Sequence, residues 1–380
     1  MSARAAAGIV LVGGGHAHVH VLAALRRAAG LRVTLVSEQL QTPYSGMLPG
    51  VIAGLYDVAQ AHIDLTRLAT ATGTRLVQAR CTGLDRANKQ VLCADGTTIP
   101  YDLVSLDVGS TPSLAAIRGA REHGIAVKPI GEFLGKFNRL RADCRRVDGP
   151  RHIAVIGGGA GGVELLLSVR TRLRAEAAQD GRDAERFSFT LVTDGDILPT
   201  HNERVRTAFR RVFAERGIEL LENHRVTALR AGGIRLVGDR ALQSDATLVV
   251  TPAGAPDWFK TTGLALDDRG FLAVGPTLQS LDDKCVFAAG DCAALIETPR
   301  EKAGVYAVRA GPPLAKNLRR VAQGGQPLPW RPQARHLALI STGERYAVGS
   351  RARLKFEGRW VWTLKDWIDR RWMRQYQKLA

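Results

Sequence analysis

The sequence has few cysteines, and their spacing excludes the common cysteine-based sites. There are five of them, with no C-x-x-C pair and no zinc-like spacing to histidine: Cys81, Cys93, Cys144, Cys285 and Cys292. Scattered cysteines of this kind are typical of reduced thiols in a cytoplasmic protein. A disulfide between Cys285 and Cys292, seven residues apart, stays open at this stage.

Long apolar runs are also missing. No run is long enough to cross a bilayer, and the start, MSARAAAG, has neither a long apolar region nor a cleavage-site pattern. We therefore expect a cytoplasmic protein that is at most attached to the inner face of the cell membrane.

Acidic residues are scarce, since 36 of them face 53 basic ones and the formal net charge is +17. An anionic membrane surface, anionic cofactors or a general arginine bias would each account for this excess. Nucleic acid is not expected as a partner, because basic and aromatic residues are not interleaved before the last thirty positions.

What the sequence does contain is one pattern repeated twice: apolar strand, glycine-rich turn, helix, apolar strand. The copies span residues 8–38, with GGGHAHVH after IVLV, and residues 151–194, with GGGAGG after HIAVI. Short apolar runs bounded by glycine and charge are typical of buried parallel strands. We predict an α/β protein with two Rossmann-like, three-layer dinucleotide-binding domains, the second inserted in the first. The predicted boundaries are 1–118 with 246–325, then 119–245, then a C-terminal region, 326–380.

The second copy has a complete G-x-G-x-x-G motif in Gly157, Gly159 and Gly162. These glycines allow a tight turn, a close approach of pyrophosphate to backbone N–H groups, and tight helix–strand packing. Asp194 ends the next strand, where a ribose hydroxyl would be held. Because a carboxylate repels a 2′-phosphate, this residue predicts NADH rather than NADPH.

The first copy has Gly13, Gly14 and Gly15, but His18 takes the place of the third motif glycine. An imidazole at this position is expected to push the helix away from the strand. Glu38 nevertheless stands twenty residues further on, at the strand end, where it would accept from a ribose. A nucleotide site is therefore still predicted.

Three histidines alternate in this helix, at His16, His18 and His20. Residues two apart on a helix point about 200° away from one another, so these imidazoles cannot converge on one ion and we predict no metal site. His16 stands at the turn, where it could touch a cofactor, whereas the other two are expected to pack.

Three later segments have the form of strands that end near a bound dinucleotide. They contain Gly109 in VSLDVGSTP, Gly254 in VVTPAGAP, and Gly290–Asp291 in VFAAGDCA. An acidic residue at such a strand end can hold a hydroxyl of the ribityl chain of FAD, and a helix-capping role for Asp291 is the alternative.

Together these motifs resemble the pyridine nucleotide-disulfide oxidoreductase superfamily over roughly residues 8–320, and within it the type II NADH dehydrogenases. The segment PYSGMLPGVIAG, residues 43–54, matches the stretch that lies beside the flavin ring in those proteins. PYSGMLPG, HIDL and WTLKDWIDRRWM are most similar to a flavoprotein subgroup sometimes fused to selenide, water dikinase.

The resemblance implies FAD as the cofactor and NADH as the co-substrate. It places the FAD pyrophosphate at Gly13, Gly14, Gly15 and His16, and the adenosine at Glu38 and the backbone of Cys81. It places the ribityl chain at Asp291, next to Gly290, and the flavin edge near Tyr306, and Gly109 is a further position expected near FAD. It places NADH at Gly157, Gly159, Gly162, Glu164, Asp194 and Gly254. The flavin-proximal candidates are Pro43, Tyr44, Met47 and Lys128.

One departure from the disulfide reductases sets the expected chemistry. Those enzymes carry a cysteine pair beside the flavin, and here that segment is Tyr44, Ser45, Gly46, Met47. Electrons would then pass directly from the flavin to a diffusible acceptor, for which a quinone is expected, and no general acid or base is assigned. Two alternatives stay open: oxidation of a sulfur or selenium compound, as in sulfide:quinone reductases, with Cys292 as a candidate, or a non-enzymatic FAD redox sensor.

The C-terminal residues predict an amphipathic helix. Its apolar positions share one face, and basic residues occupy the others: Leu364, Trp367, Ile368, Trp372, Tyr376 and Leu379 against Lys365, Arg370, Arg371, Arg374 and Lys378. Tryptophan with basic charge is typical of a helix at a membrane surface, which would suit a quinone dissolved in the bilayer. Alternatively, the stripe packs on the flavin domain or on a second subunit in a homodimer.

Overall fold

The apolar runs of the first hundred residues form most of a parallel sheet, in a computed structural model that describes residues 6–114, 116–250 and 253–379. The two central strands are buried on both faces, as expected for a sheet covered on both sides. The elements of this part are β1 (Ala7–Val12), α1 (His16–Ala24), β2 (Leu31–Val36), β3 (Gln41–Pro43), α2 (Leu48–Ala53), β4 (His62–Asp64), α3 (Leu65–Thr72), β5 (Arg75–Val77), β6 (Cys81–Asp85), β7 (Gln90–Cys93), β8 (Thr98–Pro100), β9 (Leu103–Leu106) and β10 (Thr111–Pro112).

A second parallel sheet follows, with its own core around the buried Phe133, Phe189 and Phe209. Its strand order, in the numbering below, is β11-β18-β12-β13-β14. The elements are α4 (Ala120–His123), β11 (Gly124–Ala126), α5 (Ile130–Cys144), β12 (His152–Ile156), α6 (Ala160–Gln179), β13 (Ser188–Val192), α7 (Glu203–Glu215), β14 (Ile218–Leu221), β15 (Val226–Arg230), β16 (Gly233–Leu236), β17 (Ala241–Gln243) and β18 (Ala246–Val249).

The chain then returns to the first sheet through β19 (Ala253–Gly254), β20 (Leu272–Val274), β21 (Val286–Ala288), β22 (Ala293–Leu295) and α8 (Gly304–Ala322). β21 pairs with β9 and completes the order β21-β9-β1-β2-β5. The predicted fold class, one Rossmann-like unit inserted in another, is confirmed. The boundary predicted at residue 246 falls just before β18, which pairs within the second sheet. We therefore propose that the inserted domain extends through β18.

The C-terminal region spans both domains. Its strands β23 (Ala338–Ser341), β24 (Ala347–Arg351) and β25 (Leu354–Gly358) form an antiparallel sheet, followed by α9 (Arg359–Gln377). Ile340 and Val348 of the sheet join the core of the inserted domain, whereas Met373 and Tyr376 of α9 join the core of the first domain. This region therefore connects the two nucleotide-binding units.

The helix predicted near the C-terminus is present, but its predicted buried face is only partly right. Trp372, Tyr376 and Leu379 do pack against the first domain. Trp367 and Ile368 remain 55% and 36% exposed. The helix turns Lys365 and Asp369 inward instead, because these side chains form an ion pair that can be buried together.

Candidate functional site

The first glycine-rich turn is closed by the histidine that replaces the third motif glycine. His18 is fully buried, with Nδ1 2.7 Å from the Gly13 carbonyl oxygen and Nε2 2.8 Å from the Ser105 hydroxyl. Because a carbonyl only accepts, Nδ1 carries the proton and the hydroxyl donates to Nε2. Burial lowers the pKa of His18 to about 4, so the ring stays neutral. The expectation that this ring forces helix and strand apart is wrong, since it bridges them.

A carboxyl group that the sequence analysis missed stands at the N-terminal end of α1. Asp107 follows β9 and is 3% exposed, and its Oδ2 accepts hydrogen bonds from the backbone N–H groups of Ala17, at 2.9 Å, and His18, at 3.2 Å. Burial raises its pKa to about 7. The sequence feature that indicates Asp107 is an acidic residue directly after the buried strand in VSLDVGSTP.

Lys128, Ser110 and Asp291 form a polar cluster between the two domains. The Lys128 Nζ atom lies 2.9 Å from the Asp291 Oδ2 atom and donates to the Ser110 hydroxyl at 2.8 Å. The adjacent Gly109 has φ +72°, and no atom lies within 4 Å of where its Cβ would be. The cluster therefore borders open space, and a lysine of the inserted domain reaches the loop of the first domain that was predicted to hold a ribityl chain.

Three aromatic rings meet next to this cluster. His16 lies 5.3 Å from both Tyr44 and Trp372, and Tyr44 stacks on Trp372 at 4.4 Å between ring centroids. The His16 Nε2 atom also lies 3.2 Å from the Pro43 carbonyl oxygen. The structure thus brings His16, Pro43 and Tyr44 together and adds Trp372 of α9. Met47 is instead buried in the core of the first domain.

A second set of charged side chains lies between the start of α6, strand β23 and α9, where Lys365 and Asp369 are buried and Glu164 is partly buried. The Glu164 carboxylate accepts a hydrogen bond from the Ser341 backbone N–H at 2.7 Å. Lys365 Nζ lies 2.7 Å from Asp369 Oδ2 and donates to the Gly46 carbonyl oxygen. Burial raises the pKa of Glu164 to about 7, although the Lys365 charge opposes this shift. Asp369 also adds to the effect of burial in raising the pKa of Tyr44. These groups therefore connect Glu164 to the aromatic cluster.

The second glycine-rich turn is shaped as its motif predicts. Gly157 has φ +126°, and a Cβ at Gly162 would overlap the Gly157 carbonyl oxygen. Gly159 caps α6, and no atom lies within 4 Å of where its Cβ would be, so the N-terminus of this helix is open. Asp194 is exposed at the end of the sheet, with both carboxylate oxygens 3.1 Å from Arg225 Nε. The carboxylate expected to hold a ribose is thus bonded to an arginine, which the sequence analysis did not anticipate.

The other predicted positions lie around these two turns. Glu38 is exposed and lies 4.0 Å from Arg80 Nε. Arg80 directly precedes Cys81, the first residue of β6. Gly254 pairs with Thr111 where β19 and β10 form an antiparallel pair. Tyr306 lies in the first turn of α8 and lines a small cavity together with Gly290 and Asp291.

The five cysteines all carry free thiols, so the Cys285–Cys292 disulfide left open by the sequence is not formed. Cys292 is fully buried and its thiol donates to the carbonyl oxygens of Leu106 and Ala289. Burial raises its pKa to about 12. A thiol in this state is neither ionised nor accessible.

Within residues 6–114, 116–250 and 253–379, no cluster of histidine, cysteine and acidic side chains is placed to hold a metal ion. Over the same residues, none of the helices has the length and apolar composition needed to span a membrane.

Two parallel sheets, each with a glycine turn that opens a helix at the carboxyl end of its central strand, define a protein with two dinucleotide-binding domains. A family model described as pyridine nucleotide-disulphide oxidoreductase matches residues 7–317. The chain belongs to this family. It is therefore an oxidoreductase that works with a flavin and NAD(P)H.

Known proteins with similar sequences and structures agree with this assignment. The chain is 28% identical over 295 residues to "Probable ferredoxin reductase CtmF" of Castellaniella defragrans, which covers 74% of this chain and 67% of that protein. It is 22% identical over 342 residues to a type II NADH:quinone oxidoreductase of Staphylococcus aureus, with 83% of each chain covered. The structure of NDH2 from Plasmodium falciparum in complex with NADH superposes with a TM-score of 0.83 and 15% identity over 98% of both chains.

Proposed function

We propose that this protein is an FAD-dependent NADH dehydrogenase that reduces a quinone without a redox disulfide. The observation that carries the proposal is the contact of the Pro43–Met47 segment with the first glycine turn. This segment presents Tyr44 to His16 and contains no cysteine. Electrons then have no thiol to pass through on their way to the acceptor.

The residues around the first turn suit FAD. Open space beside Gly109, the cation of Lys128 and the acceptor Asp291 together match the pyrophosphate and the hydroxyl-rich ribityl chain. His16 would orient the cofactor near its pyrophosphate, and Glu38 and the backbone at Cys81 would hold the adenosine. A bound flavin would supply the hydride and electron chemistry, whereas the protein positions the two rings and excludes water.

The residues around the second turn suit NADH. The open N-terminus of α6 provides backbone N–H groups and a positive helix end for a pyrophosphate. Asp194 at the strand end would accept from a ribose hydroxyl and disfavour a 2′-phosphate. Arg225 opposes that preference because it partly neutralises Asp194, so we expect a preference for NADH over NADPH and not absolute specificity.

Reduction of a quinone to a quinol takes up two protons, and the buried groups on α6 and α9 are suited to hold them. Glu164 has its pKa raised to about 7, so its carboxyl carries a proton in a substantial fraction of molecules near neutral pH. Lys365 and Asp369 stand between Glu164 and Tyr44. These side chains would hold protons close to the aromatic cluster, where an acceptor could approach the flavin.

The exposed side of α9 supports contact with a membrane. Trp360 and Trp367 are more than half exposed, and Ile368 is 36% exposed. Residues 300–380 contain 18 basic and five acidic residues, an excess of 13 out of the 17 of the whole chain. Aromatic and basic residues on one exposed helix favour a surface of anionic lipid, from which a quinone would enter.

The two alternative functions receive less support. A sulfur-oxidising flavoenzyme would need a reactive thiol, and Cys292 is buried and protonated. A flavin sensor without catalysis would not need an open helix N-terminus at Gly159 for a second nucleotide.

Anaerobic stopped-flow absorbance of the purified holoprotein tests the proposal. Mixing with NADH should bleach the flavin absorbance within the turnover time, NADPH should do so more slowly, and a soluble quinone should then restore it. Reduction by sulfide but by neither nicotinamide would refute the proposed function. Reoxidation by an acidic ferredoxin and not by a quinone would show that the electron acceptor is a ferredoxin.

A further inference from the structure

The carboxyl group of Asp107 occupies a position built to receive an anion. Its Oδ2 atom accepts from the second and third N–H groups of α1, at the helix end that faces the pyrophosphate in this fold. The carboxyl is also wedged between two loops expected to hold the cofactor. A Cβ at Gly15 or at Gly290 would overlap it, so both positions must be glycine while Asp107 is present.

The groups around Asp107 do not neutralise the negative charge of a diphosphate bound beside it. Asp291 faces it from the 3-10 turn Gly290–Cys292 and adds to the effect of burial in raising its pKa. From α1 it faces His18, which burial keeps neutral, and from the same turn it faces the protonated thiol of Cys292. Two cations stand near this group: Lys128 is already bonded to Asp291, and Lys302 donates to the Ala293 carbonyl oxygen and has its pKa lowered by burial.

We propose that Asp107 takes up a proton from solvent when FAD binds, so that the affinity for FAD is linked to pH. This inference rests on the proposed use of FAD. The diphosphate at this helix end and an ionised Asp107 would repel each other at short range, and like charges in a buried site disfavour joint ionisation. The proton goes onto the carboxyl oxygen that does not accept from α1. No bond of the cofactor changes.

The linkage predicts the sign of the pH dependence. Because the pKa of Asp107 is about 7 before FAD binds and higher afterwards, both states are protonated below pH 7 and affinity is constant there. Above pH 7 the carboxyl of Asp107 is ionised before binding and must take up a proton when FAD binds. The Kd for FAD should therefore rise about tenfold per pH unit until the pKa of the bound state is reached.

Release of FAD from the full-length holoprotein, measured by equilibrium dialysis between pH 6 and 9, tests this. The wild type should show the rise above pH 7, whereas Asp107→Asn, which keeps a side-chain acceptor for α1, should show a flat curve and tighter binding at pH 9. Asp102→Asn is the matched control, because this exposed carboxylate caps Gly8 of the same sheet and lies outside the turn. It should keep the wild-type slope.

Calorimetry of FAD binding to the flavin-stripped wild-type chain at pH 8 counts the protons directly, from the dependence of the binding enthalpy on the buffer. We expect about one proton taken up per FAD, and this measurement stands even if Asp107→Asn does not fold. Tight FAD binding with no proton uptake and a flat wild-type curve would overturn this inference alone. Absence of FAD binding at every pH would overturn the proposed function as well.

Discussion

The buried ion pair on α9 allows a quantitative test of how this helix is held. Lys365 and Asp369 have side chains 11% and 7% exposed, with Nζ and Oδ2 2.7 Å apart. Removal of one partner leaves the other charged and buried. Replacement of both by apolar side chains of similar size leaves only Glu164, which keeps its hydrogen bond from Ser341 and can take up a proton. We therefore expect Asp369→Leu and Lys365→Met each to destabilise the protein strongly, and the double variant to recover most of the loss.

The expected size follows from burial and distance. Two unit charges 4 Å apart attract by about 4 kcal/mol at an effective dielectric constant of 20, and desolvation offsets part of this. Loss of one partner of a buried pair costs about 3–5 kcal/mol, while replacement of both is often neutral. For a domain of 150–250 residues this corresponds to a fall in unfolding temperature of roughly 6 °C or more for each single variant.

Differential scanning fluorimetry at pH 7.5 measures these changes. The matched control is Glu132→Leu with Lys136→Met on α5, an i,i+4 pair of the same type whose side chains are 61% and 45% exposed and 4.0 Å apart. That pair should be worth less than about 1 kcal/mol. The reasoning is refuted if Asp369→Leu alone is tolerated as well as Glu132→Leu, or if the double variant on α9 is as unstable as the single ones.

Three further predictions concern other parts of the site. Burial raises the pKa of Glu164 from 4.5 to about 7, so the free energy of unfolding of the wild type falls as pH rises through that window. Relative to the wild type, Glu164→Gln should gain up to about 3 kcal/mol in free energy of unfolding between pH 5 and 8. A difference between the two proteins that does not change with pH would contradict this. Asp194→Ala releases Arg225 and should shift the kcat/KM ratio towards NADPH by about tenfold or more, with Arg225→Ala as the opposite control. Trp367→Ser should weaken binding to anionic lipid vesicles in co-sedimentation by about tenfold without lowering the unfolding temperature, whereas the exposed Val147→Ser should leave both unchanged.

The fold could be predicted from the sequence because its signals are local and repeated. The apolar runs of β1 and β12, each followed by a glycine turn, specify two parallel sheets without knowledge of any long-range contact. The orientation of α9 could not be predicted in the same way. The buried face contains Lys365 and Asp369 next to Tyr376, and it leaves Trp367 of the apolar stripe exposed. This choice depends on Glu164 and Gly46, which face Lys365 and lie about 200 and 320 residues earlier.

The candidate site, like the fold, can be predicted from the sequence only where the signals are local. The glycine positions follow from the motif, since each backbone conformation is required locally. The partners of the acidic residues do not follow from it. Asp194 was expected to hold a ribose and is bonded to Arg225. Asp107 was not assigned, and its partners are backbone N–H groups of α1 that lie about 90 residues earlier. In both cases the partner comes from a distant segment of the chain: the Arg225 side chain for Asp194 and the backbone of α1 for Asp107.

The C-terminal helix connects three properties of the proposed function. One side of α9 places Trp372 on Tyr44 in the aromatic cluster and, two turns earlier, Lys365 near Glu164 at the start of α6. The opposite side exposes Trp367 to solvent. A helix that lies on a membrane surface through Trp367 would therefore hold the aromatic cluster and the buried proton-carrying groups within about one helix diameter, roughly 10 Å, of the lipid. This arrangement would let a quinone reach the flavin without leaving the membrane interface, and a displacement of α9 would disturb acceptor reduction before it disturbed the binding of either nucleotide.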